Sequence, residues 1–204
     1  MFHCLIIGGG VSGVSCALVL GSPKNKPFMS DKKIGLITHQ RASMLHDAVF
    51  NNAYGIKPGT LGTDLLKNTL IDLQLQYPHI TQIENERVLS IIKQDRHFLV
   101  TTTQNIYESE VVVVAINSSN PFTISGCLTP YVVPHKKSLP AKNRLQLENN
   151  DHLVFENIYV AGTLAGHRSQ LAIAAGSGAA VATDILTLWN NGIETHAHDS
   201  LRKK

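Results

Sequence analysis

Apolar and polar positions fall into blocks along this chain, and the period of each block predicts an element. The first apolar block, Phe2–Ile7, is short, uncharged apart from the possible charge on His3, and cut off by three glycines, as a buried strand is. From Val11 the apolar positions Val11, Val14 and Leu18 recur at helical spacing until Gly21-Ser22-Pro23 stops the helix. Residues 24–31 form a polar loop containing Pro27, and 33–38 a second buried strand. Two apolar strands joined by a helix imply parallel pairing through a right-handed crossover.

Lys57-Pro58-Gly59 marks a turn, and Gly62–Gln76 a helix with Leu65, Leu66, Leu70 and Leu73 along one side. Ile80–Ile83 reads as a brief strand. Runs at 87–93, 97–103 and 108–116 are broken by Gln94-Asp95-Arg96 and Gln104-Asn105, which predicts an antiparallel meander. Its last run, Val111-Val112-Val113-Val114-Ala115, is continuously apolar and is expected to return to the central sheet. Residues 117–150 read as loop, with Pro121, Pro130, Pro134 and Pro140. A strand follows at 157–161 and a long alanine-rich helix at 170–189. The pattern predicts an α/β chain, with a central parallel sheet plus an antiparallel β-meander. One domain spans 1–190, and a polar tail, 191–204, is expected to fray.

Composition narrows the function classes. At 204 residues the chain suits one domain that buries roughly 70% of its unfolded surface. Its 43% hydrophobic content and net charge of +3 exclude a disordered protein. No Lys/Arg run exceeds Arg202-Lys203-Lys204, so nucleic acid is not an expected partner. Cys4, Cys16 and Cys127 form no CxxC and no metal-ligand spacing, which points to reduced thiols and a cytoplasmic location. The uncharged stretch 4–23 is long enough to suggest a membrane span. Gly8, Gly9, Gly10, Gly13 and Gly21 interrupt it, however, and no basic flank precedes it, so neither a membrane partner nor a signal peptide is expected.

Candidate chemistry begins at Gly8-Gly9-Gly10-Val11-Ser12-Gly13, which fits G-x-G-x-x-G between a predicted strand and helix. Gly8 permits the tight turn, Gly10 lets the backbone approach a pyrophosphate, and Gly13 lets helix and strand pack closely. The helix N-terminus supplies free N–H groups and partial positive charge. The bland alternative is a glycine-rich turn that binds nothing. The fingerprint's acidic residue is absent, because the second strand runs into Thr38-His39-Gln40-Arg41. Taken alone, Arg41 favours NADP, while solvated loop residues would also fit.

The C-terminal third adds a resemblance. Asn157-Ile158-Tyr159-Val160-Ala161-Gly162-Thr163, then Gln170-Leu171-Ala172-Ile173-Ala174-Ala175-Gly176-Ser177-Gly178-Ala179-Ala180, resembles the second flavin motif of bacterial thioredoxin reductases. Asn52-Ala53-Tyr54-Gly55, Val88 in the first meander strand, and Val111 to Ala115 at its end extend the resemblance along most of the chain. It implies a single Rossmann-like FAD/NAD(P)-binding domain, with FAD as cofactor. In that family an NADPH domain carrying a redox-active CxxC is inserted into the FAD domain. Here residues 117–153 are too few for it, which implies no self-sufficient thioredoxin reductase. By the resemblance, Gly8, Gly10, Val11, Ser12 and Gly13 would meet the pyrophosphate. Thr38, His39 and Arg41 would face the adenosine, the Val88 backbone the adenine, and Asn52 the flavin side. Ala115 and Asn117 end the meander strand where the family has Ala-Thr-Gly. Gly162 and Thr163 would lie along the ribitol, and Gln170, Leu171 and Ala172 under the flavin pyrimidine. Thr38 and Thr163 stand where the family has carboxylates, which implies weaker FAD binding by a few kcal/mol (about 1.5–3 for a hydrogen bond to a charged partner against about 0.5–1.5 for a neutral one).

The expected function is a flavoprotein oxidoreductase with redox chemistry at an exposed flavin; substrate and electron donor are unspecified, and no catalytic side chain stands out. The alternative is a non-catalytic nucleotide-binding module, a degenerate FAD or NADP binder acting through a protein partner. Homodimerisation or a redox partner is expected around 117–153. His135-Lys136-Lys137 and His167-Arg168 either receive an anion or partner or are solvated loop charges. His196-Ala197-His198-Asp199 reads as solvated tail rather than metal site, and Cys127 as unreactive.

Overall fold

The computed structural model describes residues 1–38 and 43–197. Thirteen strands and three α-helices are named among them. The chain opens with β1 (Phe2–Ile7), α1 (Val11–Gly21) and β2 (Ile34–Ile37). A small hairpin, β3 (Val49–Phe50) and β4 (Thr60–Leu61), leads into α2 (Gly62–Gln76) and β5 (Ile80–Ile83). The meander follows as β6 (Val88–Lys93), β7 (Phe98–Thr102) and β8 (Ile106–Val114). Short strands β9 (Ser125–Gly126), β10 (Val132–Pro134), β11 (Leu145–Leu147) and β12 (Leu153–Phe155) precede β13 (Ile158–Val160) and α3 (Leu171–Trp189).

The main sheet has the order β5-β2-β1-β8-β7-β6-β9, with β13 on β8 and β12 on β13. Strands β5, β2, β1, β8 and β13 are mutually parallel, whereas β6, β7 and β8 are antiparallel. The nine-residue β8 joins the two halves. Its first part pairs with β7 (Phe98 opposite Ser109), and its last part with β13 (Ile158 opposite Val112) and β1. This is the return to the central sheet expected from the valine run.

Because side chains alternate across a strand, β1 sends Cys4 and Ile6 to one face and Leu5 and Ile7 to the other. The first pair packs with Val14, Ala17 and Leu20 of α1 and Val181, Ala182 and Ile185 of α3. The second packs with Val112, Val114, Ile124, Leu128 and Leu147. Of the leucines expected along one side of α2, Leu73 is fully buried; Leu65, Leu66 and Leu70 are half-buried. Helix α3 is long and apolar enough to cross a membrane by length and composition, but its buried positions pack on α1.

Several local features differ from the sequence expectations. Residues 117–150 are not simply loop. They include β9 and the antiparallel β10–β11 hairpin, and they bury Ile124, Leu128 and Leu147 on the second face of the sheet. Isolated apolar residues between prolines have no period, so the pattern concealed them. Within 24–31 a short 3₁₀ turn, Pro27–Met29, buries Met29. The segment after α3 folds back rather than fraying at once, since the Thr195 N–H donates to Thr187 Oγ1 and Asn190 Nδ2 to Thr195 Oγ1.

Candidate functional site

The site begins where β1 stops. Gly8 donates its N–H to the Ile37 carbonyl at 2.9 Å and turns with φ +119°, a conformation that favours glycine. The chain enters α1 at Gly10, whose carbonyl accepts the first helical bond, from the Val14 N–H. The N–H groups of Val11, Ser12 and Gly13 therefore lack helical partners. No side chain caps this end, and its first turn holds no acid. A side chain at Gly13 would overlap the Gly8 carbonyl, and one at Gly178 of α3 the Ser12 carbonyl. A Cβ at Gly10, by contrast, would meet nothing within 4 Å. Packing accounts for Gly13 and Gly178; the open space is at Gly10.

That space is part of a cleft of about 300 Å³ at the C-terminal ends of β1 and β8. Here the sheet order changes direction, the place where open α/β sheets bind ligands. Gly10, Val11 and Ser12 line it from α1, and Ala115, Ile116 and Asn117 from the end of β8. Thr163, Ser169, Gln170, Leu171 and Ala174 line it from the entry to α3. Ser43, Met44, Leu45, Ala48 and Phe50 complete it. Among the described residues no carboxylate lines the cleft.

Two buried serines hold its floor. Ser12 is 7% exposed and faces Gly162, where any side chain would overlap its Oγ; its hydroxyl makes no hydrogen bond among the described residues. Ser177 Oγ accepts the Gly162 N–H at 2.8 Å and ties the exit of β13 to α3. The Thr163 carbonyl accepts a hydrogen bond from His135 Nε2 at 3.0 Å.

The structure therefore brings Gly10, Val11, Ser12, Ala115, Asn117, Thr163, Gln170 and Leu171 together around one space. Gly8, Gly13 and Gly162 lie immediately behind it and shape its backbone. Thr38 sits against Gly9, with its hydroxyl donating to the Ile83 carbonyl at 3.3 Å. Three further residues do not line the cleft: Asn52 is exposed, Val88 is buried on the second face, and Ala172 is exposed on α3. His39 and Arg41 lie outside the described residues. Sequence reasoning missed the contribution of 43–50, which carries no motif, and the two serine roles. Ser177 lies inside the motif already singled out, so its register was available.

No family model matches this chain, and no curated protein matches it in sequence. Solved structures do match. An oxidoreductase from Agrobacterium tumefaciens superposes with a TM-score of 0.74 at 12% identity, covering 92% of this chain and 98% of that one. A thioredoxin reductase from Gloeobacter violaceus gives 0.71 at 12% identity, covering 99% of both chains. A ferredoxin-flavin thioredoxin reductase from Clostridium acetobutylicum gives 0.67 at 17% identity, covering 93% and 98%. The fold is thus that of thioredoxin reductase-like oxidoreductases, a Rossmann-type sheet with an attached meander.

Proposed function

We propose that the cleft binds FAD and that the chain is a flavin-dependent oxidoreductase. The observation that carries this reading is Gly10. Its backbone faces open space beside three unpartnered helical N–H groups and a buried, unpartnered Ser12 hydroxyl. Those donors suit a diphosphate. The N-terminus of α3, at Gln170 and Leu171, lines the same cleft, and its dipole favours negative charge on a reduced ring system. The likeness to reductases, one of them named for its flavin, supports the reading. Bound there, a flavin supplies hydride and single-electron transfer. The protein contributes backbone donors on both sides, the apolar cover of Met44, Leu45 and Phe50, and a Gly162 turn held in place by Ser177.

No CxxC is present to relay electrons, so the chain by itself is not expected to reduce thioredoxin with NADPH. A cytoplasmic protein working with a partner or a second copy fits this reading. The Thr38 hydroxyl spends its proton on the Ile83 carbonyl, which leaves its lone pairs to accept from a ribose hydroxyl as a neutral acceptor.

Visible absorption of the purified protein before and after adding FAD tests the proposal. Bound flavin should be lost in Gly10→Val, whose side chain would fill the open space. A folded Gly10→Val protein with full FAD affinity would place the cofactor elsewhere.

A further inference from the structure

Lys136-Lys137 and His167 are distant in sequence but line one pocket of about 270 Å³. Its lining includes Lys136, Lys137, Asn149, His152, Ala165 and His167. Buried polar groups hold the lysines' backbone in place. The Lys136 N–H donates to Gln146 Oε1 at 2.8 Å and the Lys137 N–H to His135 Nδ1 at 3.1 Å. Both acceptors are at least nine-tenths buried. Since His135 Nδ1 accepts from Lys137, its Nε2 is the nitrogen that donates to the Thr163 carbonyl, which defines the tautomer. The Lys136 stem crosses Gly166, where a Cβ would come within 3.0 Å of its Cε. Neither lysine has an ion-pair partner among the described residues.

The opposite wall is imidazole. His167 and His152 have ring centroids 5.1 Å apart. His152 is 7% exposed, and its Nδ1 lies 2.9 Å from the Val160 carbonyl and therefore carries the proton. Burial holds the His167 pKa below its usual value, with His152, Lys137 and Lys136 adding to the effect; Asp151 opposes it. Asp184 also lies within electrostatic reach of His152. The pocket thus gathers two permanent cations and a third group that would ionise if an anion arrived, against one lining carboxylate among the described residues, Asp151.

We propose that this pocket is a binding site for a phosphate group, held between the Lys136 and Lys137 ammonium groups and the His167 ring. Two ammonium charges disfavour a metal ion, and no group of three metal-ligating side chains occurs among the described residues. A dianion matches two lysines and a protonated imidazole better than a monocarboxylate does. The site is separate from the cleft: Ala165 and His167 face the pocket, whereas Thr163, Ser169 and Gln170 face the cleft. It stands whether or not the cleft holds a flavin.

Histidine resonances of the full chain, followed by NMR across pH at constant ionic strength, test the site with inorganic phosphate and, in parallel, acetate. Phosphate should shift His167 saturably and raise its titration midpoint by about one pH unit. Acetate should leave it unchanged. The double variant Lys136→Gln/Lys137→Gln, which alters only exposed side chains, should keep its fold by circular dichroism and bind phosphate at least about tenfold more weakly. An unmoved His167 midpoint, equal binding by the double variant, or an equal response to acetate would each overturn the proposal.

Discussion

On one face of the central sheet, Cys4, Ile6, Val111 and Val113 lie beneath α1 and α3; on the other, Leu5, Ile7, Val112 and Val114 lie beneath Ile124, Leu128 and Leu147. The first cover is two helices in close contact, set by glycines at their crossing. The second is a proline-rich stretch held by individual hydrogen bonds. Within it the Leu145 N–H donates to the Ser118 carbonyl, the Glu148 N–H to the Tyr131 carbonyl, and Asn149 Nδ2 to the Leu147 carbonyl. Equal burial is reached by unequal means. A helix repeats its apolar positions, while the irregular cover must satisfy each backbone group separately.

The comparison can be broken by mutation at each face. Gly13→Val should be the most damaging change, because its side chain would overlap the Gly8 carbonyl. A loss of about 4 kcal/mol or more is expected by urea denaturation, together with loss of ligand binding. Leu147→Ala comes next. Leu147 is fully buried, and about 3 kcal/mol should be lost if the irregular stretch is true core; a loss below about 1 kcal/mol would make it a loose cover.

A smaller effect is expected at Glu86, beside the meander. Burial opposes its ionisation, but hydrogen bonds from Thr102 Oγ1 (2.5 Å), Tyr107 Oη (2.8 Å) and Asn105 Nδ2 (2.8 Å) outweigh this and hold the carboxyl below its usual range. Its folded pKa is then below the unfolded one. Its stabilisation is present above the unfolded value and is lost as pH falls through the folded value. Glu86→Gln should cost about 1–2 kcal/mol at neutral pH, and the gap from wild type should narrow in acid melts. The smallest effect is expected at Thr163, where the cleft meets the irregular side through His135. Thr163→Asp offers a charged acceptor and should tighten FAD binding by up to about 1 kcal/mol, roughly fivefold, less any repulsion from the diphosphate. Unchanged or weaker affinity would argue that the ribitol does not run past Thr163.

The helix-covered face was legible in the sequence because its elements have a period. Val11, Val14 and Leu18, the valines of β8 and the glycines of the first loop each carry a local signature. Ile124, Leu128 and Leu147 carry none, since each is a single apolar residue whose partner lies far along the chain. The cleft was legible where motifs line it, at Gly10, Ser12, Thr163 and Gln170, and hidden where 43–50 completes it with ordinary apolar residues. The cationic pocket was half visible. Two basic clusters could be seen in the sequence; their meeting depends on the β10–β11 hairpin, whose strands were too short to show a period.

The pairing of β13 with β8 has a consequence for how the chain tolerates extension. The irregular stretch leaves β8 after Val114, touches the sheet at β9 and β12, and ends on β13, which is hydrogen-bonded to the strand it left. Both ends are anchored to neighbouring strands whatever length of polypeptide lies between them. Lengthening such a connection costs only about 0.6 kcal/mol per doubling. This is therefore a natural splice point, where an additional folded module could be inserted while the parallel register of the sheet stays as it is.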